Sequence, residues 1–349
     1  MHKVDVVIPT FNYGRFLDSC LTSVLEQTWG DFQVLVIDNA SEDDTEALMH
    51  EWLKRDTRIR YERNPVNVGG ARSVEKAYAM TSAPFVMTLC ADDLLLPRFL
   101  EKVVGDGLDR HPECSFGYSL IHRMTERGLI PDVYQFVPRL PTGVHDLLYH
   151  FCLTNWLQVS FGVARRRHIE ELRAHERYFR KFYAGSPRQG ALGDHYQWLQ
   201  LSTKGPAFVV NERQAIYRDH TGNDSHALGK ATLTEESILI YDAVFYDKDI
   251  FPVDARYLCK INQIGRLLSR GGLAQAAVSM AQSGEIWPIV KDALPGLLEK
   301  LCAVVRDFRF DDCSGKLSHL VLESEANLEQ LERIAAQLRA EAAAPRQPA

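Results

Sequence analysis

The sequence predicts an α/β fold, a mostly parallel sheet flanked by helices, with a mainly α-helical C-terminal region. Three observations predict it. Short, continuously apolar, β-branched runs alternate with helical patterns four times within residues 1–115, as expected of strands buried on both faces and crossed by helices. From about Leu233 onward the pattern is mostly helical. The 349 residues are 46% hydrophobic and 25% charged, which fits a packed protein and excludes disorder, collagen-like repeats and a small disulfide scaffold.

The elements follow in order. Val4-Asp5-Val6-Val7-Ile8 reads as a first buried strand, a polar turn spans Thr10–Gly14, and Phe16–Gln27 is helical. Phe32–Ile37 is the second strand, Asp38–Asp44 a polar turn, and Thr45–Arg55 a helix. Ile59–Arg63, a glycine-containing turn and the helix Ala71–Met80 form the third repeat. Phe85–Cys90 is the fourth strand, ending in Ala91-Asp92-Asp93. Residues 116–228 read as irregular, with short strands, loops and the basic run Arg165-Arg166-Arg167. The last helix, 315–342, carries a seam of Leu317, Val321, Ser324, Leu328, Leu331, Ala335, Leu338 and Ala342 at alternating four- and three-residue spacing. That spacing suits a coiled coil, and with it a homo-oligomer, or docking onto the body of the chain. Ala343–Ala349 reads as a frayed tail.

A net charge of −6 leaves no electrostatic footprint for nucleic acid. The seven cysteines lack CxxC spacing and are odd in number, as expected of reduced thiols rather than a zinc site. No signal-peptide pattern and no apolar run of the ~18–20 residues that span a bilayer are present. The expected location is cytoplasmic, with peripheral contact at the inner face of the plasma membrane left open.

In parallel sheets ligands gather at the carboxyl ends of the strands, so the polar clusters there are the candidate site. Pro9-Thr10-Phe11-Asn12 ends the first strand. Asp38 ends the second, where a carboxylate would accept a hydrogen bond from a nucleobase ring N–H. Ser41, Asp43 and Asp44, just ahead of a helix, fit capping. Asn67–Arg72 offers glycines that permit close backbone approach and an arginine suited to phosphate. Asp92 and Asp93 are adjacent acids at a buried strand end, which repel unless a cation or polyol compensates them. Hard divalent ions favour such oxygens and share them with a diphosphate. The competing reading of the pair is a cap on a helix over Leu94–Leu100.

In this order and spacing, Val6–Asn12, Ser23–Thr28, Val36–Thr45, Asn67–Arg72 and Ala91-Asp92-Asp93 with Pro97 resemble the glycosyltransferase family 2 pattern on the GT-A fold. The resemblance covers residues 3–228. It extends through Asn155-Trp156 and Ser160–Arg166, Gly193–Leu201 and Tyr217-Arg218-Asp219-His220 with Ser225. It implies a nucleotide-sugar-binding half over 1–115, an acceptor-binding and catalytic half over 116–228, and a helical remainder over 229–349. Pro9, Thr10, Asn12, Asp38 and Arg72 would border the nucleotide, and Asp92 the ribose or donor sugar. Asp93 would bind Mn²⁺ or Mg²⁺, and His220 would touch the metal or a phosphate. Asp194 would be the general base, with Trp156 and Arg218 on the acceptor side. Cys90, Asn39-Ala40 and Gly193 depart from the common pattern.

The implied activity is inverting, non-processive transfer of one sugar from a nucleotide-diphosphate donor, UDP foremost, to an acceptor hydroxyl. The acceptor would be a glycan or lipid-linked glycan in bacterial surface polysaccharide assembly. Two alternatives stand beside it. A sugar-nucleotide pyrophosphorylase would want a glycine-rich basic loop where Phe11–Arg15 stands. A catalytically silent glycan-binding scaffold would assemble through the C-terminal helix.

Overall fold

The computed structural model describes residues 2–130, 138, 140–153, 155–173, 193–223, 235 and 237–269. The proposed coiled-coil helix 315–342, its tail and its oligomer seam lie outside the described residues, as does Ser225.

The first half follows the predicted alternation. Strands β1 (Val4–Thr10), β2 (Phe32–Asp38), β3 (Ile59–Arg63) and β4 (Phe85–Thr88) pair in parallel in the order β3-β2-β1-β4. Helices α1 (Gly14–Leu25), α2 (Thr45–Arg55) and α3 (Gly70–Ala79) connect them. Their β-branched side chains are buried almost throughout β1 and β2, the state that a continuous apolar run requires. Both strands run further than the apolar runs suggest, so Thr10 and Asp38 are register partners at the last rung. Asp38 in turn sits beside Arg63 of β3. The crevice where strand order reverses beside β1 is where such sheets bind ligands.

The second half is more regular than its composition suggests. It contains β5 (Leu94–Leu95), a wide-turn helix Glu101–Leu108, β6 (Phe116–Thr125), β7 (Gly128–Ile130) and β8 (Gly143–His145). Then follow α4 (Leu148–Leu153), a single turn Val159–Phe161, β9 (Gly162–Arg165), α5 (Arg166–Arg173) and α6 (Gly193–Ser202). The last described elements are β10 (Ala207–Arg218), a helical stretch over 237–246 and α7 (Val253–Ser269). The ten strands among the described residues join one sheet, β3-β2-β1-β4-β9-β6-β10-β5, with β7 on β6 and β8 on β10. β6 and β10 are parallel, whereas β9 is antiparallel to both β4 and β6. No helix begins at Leu94: Leu94 and Leu95 pair antiparallel with Ile216 and Ala215. The capping reading of Asp92-Asp93 therefore fails, because the pair occupies a turn between two strands.

One contact locks the second half internally, and another seats the two halves on each other. Trp198 of α6 lies over Gly162, where an added Cβ would stand 2.4 Å from the indole. Its Nε1–H donates to the Leu157 carbonyl at 2.8 Å, which satisfies the polar edge of a fully buried ring. At the amino ends of the parallel strands, Arg166 Nη2 donates to Asp5 Oδ2 at 2.9 Å. All three arginines of the basic run make contacts within the fold. Arg165 donates to the carbonyls of Leu108, His111 and Cys114, while Arg167 reaches His168 and the Pro112 carbonyl. Among the described residues no helix is long and apolar enough to cross a membrane.

Candidate active site

The carboxyl ends of β1, β2 and β3 build one wall. Thr10 is buried, and its Oγ1 has no hydrogen-bond partner. Asp38 is fully buried; Oδ1 accepts from the Ser41 N–H at 2.8 Å and Oδ2 from the Tyr61 hydroxyl at 2.7 Å. Arg63 Nη1 lies 3.6 Å from the same Oδ2. A carboxylate has about four lone-pair positions, so two remain for a further donor. Asn12 adopts φ of +57°, and its Oδ1 accepts from the Glu42 N–H at 2.7 Å. Its side chain is therefore occupied in closing the turn, which leaves Asn12 a shaping residue in this wall. Ser41 and Asp43 accept from the N–H groups of Asn12 and Gly14 and so tie down the β1–α1 turn; Asp43 also accepts from the Thr45 N–H at the start of α2, whereas Asp44 makes no side-chain capping bond.

The loop before α3 is tied to β2 by Asn39. Its Nδ2 donates to Asn67 at 2.7 Å, and its Oδ1 accepts from Asn64 and the Val68 N–H. Asn39 thus anchors the turn that leads to Arg72. Arg72 is exposed in the first turn of α3 and makes no ion pair with a described residue.

Between β4 and β5 the two acids stand together. Donor atoms of Cys90, Asp92 and Asp93 all lie within 4.8 Å of one another. Asp92 Oδ2 accepts from His220 Nε2 and from Asn223 Nδ2, each at 3.1 Å. Asp93 Oδ1 accepts from the Arg218 N–H at 3.1 Å, and Ser160 adds a hydrogen bond. Burial pushes the Asp93 carboxyl well above the usual carboxylate range, and the neighbouring Asp92 charge adds to it. The pair is thus short of positive charge, and two carboxylates in a desolvated turn suit a hard divalent cation completed by phosphate oxygens. Cys90 is no hard donor: burial raises its thiol well above its ordinary value.

Two expected roles change here. Arg218 is buried behind the acids rather than on the acceptor side: its guanidinium stacks 4.6 Å over Phe16 and donates to Ser19 Oγ at 2.9 Å. His220 has both ring nitrogens engaged. Gly222 N–H donates to Nδ1 at 3.1 Å, which assigns the proton to Nε2 and aims it at Asp92. In this arrangement the ring is a clasp on Asp92 and has no lone pair for a metal.

Asp194 sits in the first turn of α6, half-buried. Its Oδ1 accepts from the His195 N–H at 2.7 Å and from Asn155 Nδ2 at 3.2 Å, and the Val159 N–H adds a third bond. Burial outweighs these donors and lifts its pKa to about 6, the range useful to a general base. One turn joins the two acidic centres, because Val159 bonds Asp194 while the adjacent Ser160 bonds Asp93 and receives the Cys90 N–H at 3.0 Å. Trp156, expected on the acceptor side, packs into the core. It is buried and stacks on Phe151 at 4.2 Å, with 7° between the planes. Asn155 and Ser160 fall in stretches that the family resemblance includes without giving them a role of their own, and Asn223 carries no sequence signal, since a single polar residue in a loop has no spacing pattern.

Residues 5–156 match the sequence model of glycosyl transferase family 2. An uncharacterized glycosyltransferase of Methanocaldococcus jannaschii is 29% identical over 140 residues, 38% of this chain and 48% of that one. The poly(ribitol-phosphate) β-N-acetylglucosaminyltransferase TarP of Staphylococcus aureus is 35% identical over 121 residues, 34% of this chain and 36% of its own length. The chain therefore spans about half or less of these relatives. S. aureus TarS in complex with UDP-GlcNAc shares the fold with a TM-score of 0.56 at 14% identity, over 97% of this chain and 88% of that one. The mannosyltransferase PcManGT of Pyrobaculum calidifontis, in complex with GDP-Man and Mn²⁺, does so with a TM-score of 0.55 at 15% identity, over 97% and 86%.

Proposed function

Because residues 5–156 match the glycosyl transferase family 2 model and the chain shares its fold with TarS, we propose that it belongs to that family and moves one sugar from a nucleotide-diphosphate sugar to an acceptor hydroxyl with Asp194 as general base. The observation that carries the reading is the coupling of a raised-pKa carboxyl to a desolvated acid pair through the single turn Val159–Phe161. Residues 1–115 would hold the donor, and 116–228 would supply the acceptor pocket and the base.

The wall of Pro9, Thr10, Asp38 and Arg72 borders the nucleotide in this reading. The unpartnered Thr10 Oγ1 and the two remaining lone-pair positions of Asp38 meet its base and ribose. Asp93, with Asp92, would hold Mg²⁺ or Mn²⁺, which when bound supplies charge neutralisation for the leaving diphosphate. Arg72 adds a mobile cation at the rim. The acceptor oxygen attacks the anomeric carbon, its proton passes to an Asp194 oxygen, and the bond from that carbon to the diphosphate oxygen breaks. No second carboxylate is needed as a covalent nucleophile, so the displacement is direct and inverts the anomeric centre. UDP is the nucleotide we favour, since a UDP-sugar complex is among the structural neighbours, with GDP and dTDP as competitors. The setting we propose is assembly of a bacterial surface polysaccharide, supported by the likeness to TarP.

The test is the configuration of the first-formed product. Proton NMR of the sugar released from an α-linked nucleotide sugar, to water or to an added acceptor, is expected to show the β anomer before mutarotation. The α anomer would overturn direct displacement.

A further inference from the structure

The mechanism leaves one atom beside the base without a purpose. Asn155 donates from Nδ2 to Asp194 Oδ1 at 3.2 Å, and this contact fixes which end of the amide is nitrogen. The other end, Oδ1, is buried and has no hydrogen-bond partner. Leaving a buried carbonyl oxygen unpaired forfeits the hydrogen bonds it made to water, so it is kept where something else supplies the donor. Amide geometry separates the two ends by about 2.2 Å, which holds Oδ1 within about 5.5 Å of Asp194 Oδ1. A molecule that gives one hydroxyl proton to Asp194 therefore passes a second acceptor at arm's length.

Resting on the general-base reading of Asp194, we propose that Asn155 is a positioning and specificity residue. Its Nδ2 holds the Asp194 carboxylate toward the acceptor, and its Oδ1 takes a hydrogen bond from the hydroxyl on the carbon adjacent to the reacting one. The acceptor class this selects is a vicinal diol, as on a sugar ring or a polyol, over an isolated alcohol. The groups around Asp194 leave little else to set its titration. Among the described residues they are the N–H donors of His195, Asn155, Val159 and Asp194 itself, while the His195 ring turns away to the Phe151 carbonyl at 2.7 Å. Burial is the main influence and raises the carboxyl to about 6.

The experiment follows the side-chain NH₂ resonances of Asn155 in the intact protein, assigned by their absence in Asn155→Ala and in Asn155→Asp. They are expected to titrate with a midpoint near pH 6, and to lose that titration in Asp194→Asn. Glycerol is expected to shift them further, whereas 1-propanol at equal concentration leaves them in place. No titration, or a titration that survives Asp194→Asn, overturns the positioning role. Equal responses to glycerol and 1-propanol overturn the diol selection. Sugar transfer that persists in Asp194→Asn would sink the general-base reading while the Asn155 titration stood, so the two failures are separable.

Discussion

Asp194→Asn is expected to lose catalysis and gain stability together. Removal of a positioned general base lowers turnover by roughly 10²–10⁴-fold. The stability effect follows from the same burial. The Asp194 carboxyl moves from an ordinary value of 3.8 to about 6 on folding, so between those two pH values the folded chain binds more protons than the unfolded one. Stability therefore falls as pH rises through that window, and the full penalty applies above about pH 6. A displacement of that size corresponds to about 3 kcal/mol, and partial solvent access to Asp194 brings the expected gain to about 1–3 kcal/mol. Urea midpoints at pH 7 should be higher for Asp194→Asn than for the wild type, and the advantage should vanish near pH 4. The wild-type rate should fall on the acid side with a midpoint near pH 6. This is the trade of stability for activity expected where a charged group is held in a desolvated site.

Arg166→Met is expected to destabilise the fold by about 3–5 kcal/mol, far from any chemistry, because it leaves a buried carboxylate without its cation. Asp5 is 4% exposed. It accepts from the N–H groups of Ser82 and Ala83 at 2.9 and 2.6 Å, from His2 at 2.6 Å and from Arg166 at 2.9 Å. Arg166 spends its remaining donors on the Tyr78 and Ala83 carbonyls and on Thr81 Oγ1. It thus staples the start of α5 to the loop between α3 and β4. Chemical denaturation measures the loss. A paired Asp5→Asn/Arg166→Met chain should recover a large part of it, since the unpaired charge is then gone.

The parallel half and its acids were legible because local pattern encodes them. Val4–Ile8 and Phe32–Ile37 are continuous apolar runs, and Asp38, Asp92 and Asp93 interrupt apolar segments abruptly. What escaped the sequence is long-range pairing. β5 is a strand only because β10 lies beside it, more than a hundred residues away. Asn223 finds Asp92 across 131 positions, the Arg218 N–H finds Asp93 across 125, and Asn155 finds Asp194 across 39. Nothing in the periodicity near these residues names their partners. The same limit explains Trp156 and the Arg165–Arg167 run. The sequence does not say which side chain covers Trp156, and the structure puts Phe151 against its face. Clustered arginines show no partner in the sequence until the carbonyls and the carboxylate they bind are placed.

The account stands most directly on Asp93 as the cation ligand of a nucleotide-diphosphate site. Calorimetric titration of UDP, GDP and dTDP, each with Mn²⁺ and again with EDTA, tests it in the wild type and in Asp93→Ala. The account predicts that one nucleotide binds in a Mn²⁺-dependent manner and that Asp93→Ala loses at least ten-fold in affinity only when Mn²⁺ is present. Absence of binding by all three nucleotides to the folded wild type, or metal-dependent binding undiminished in Asp93→Ala, would contradict it.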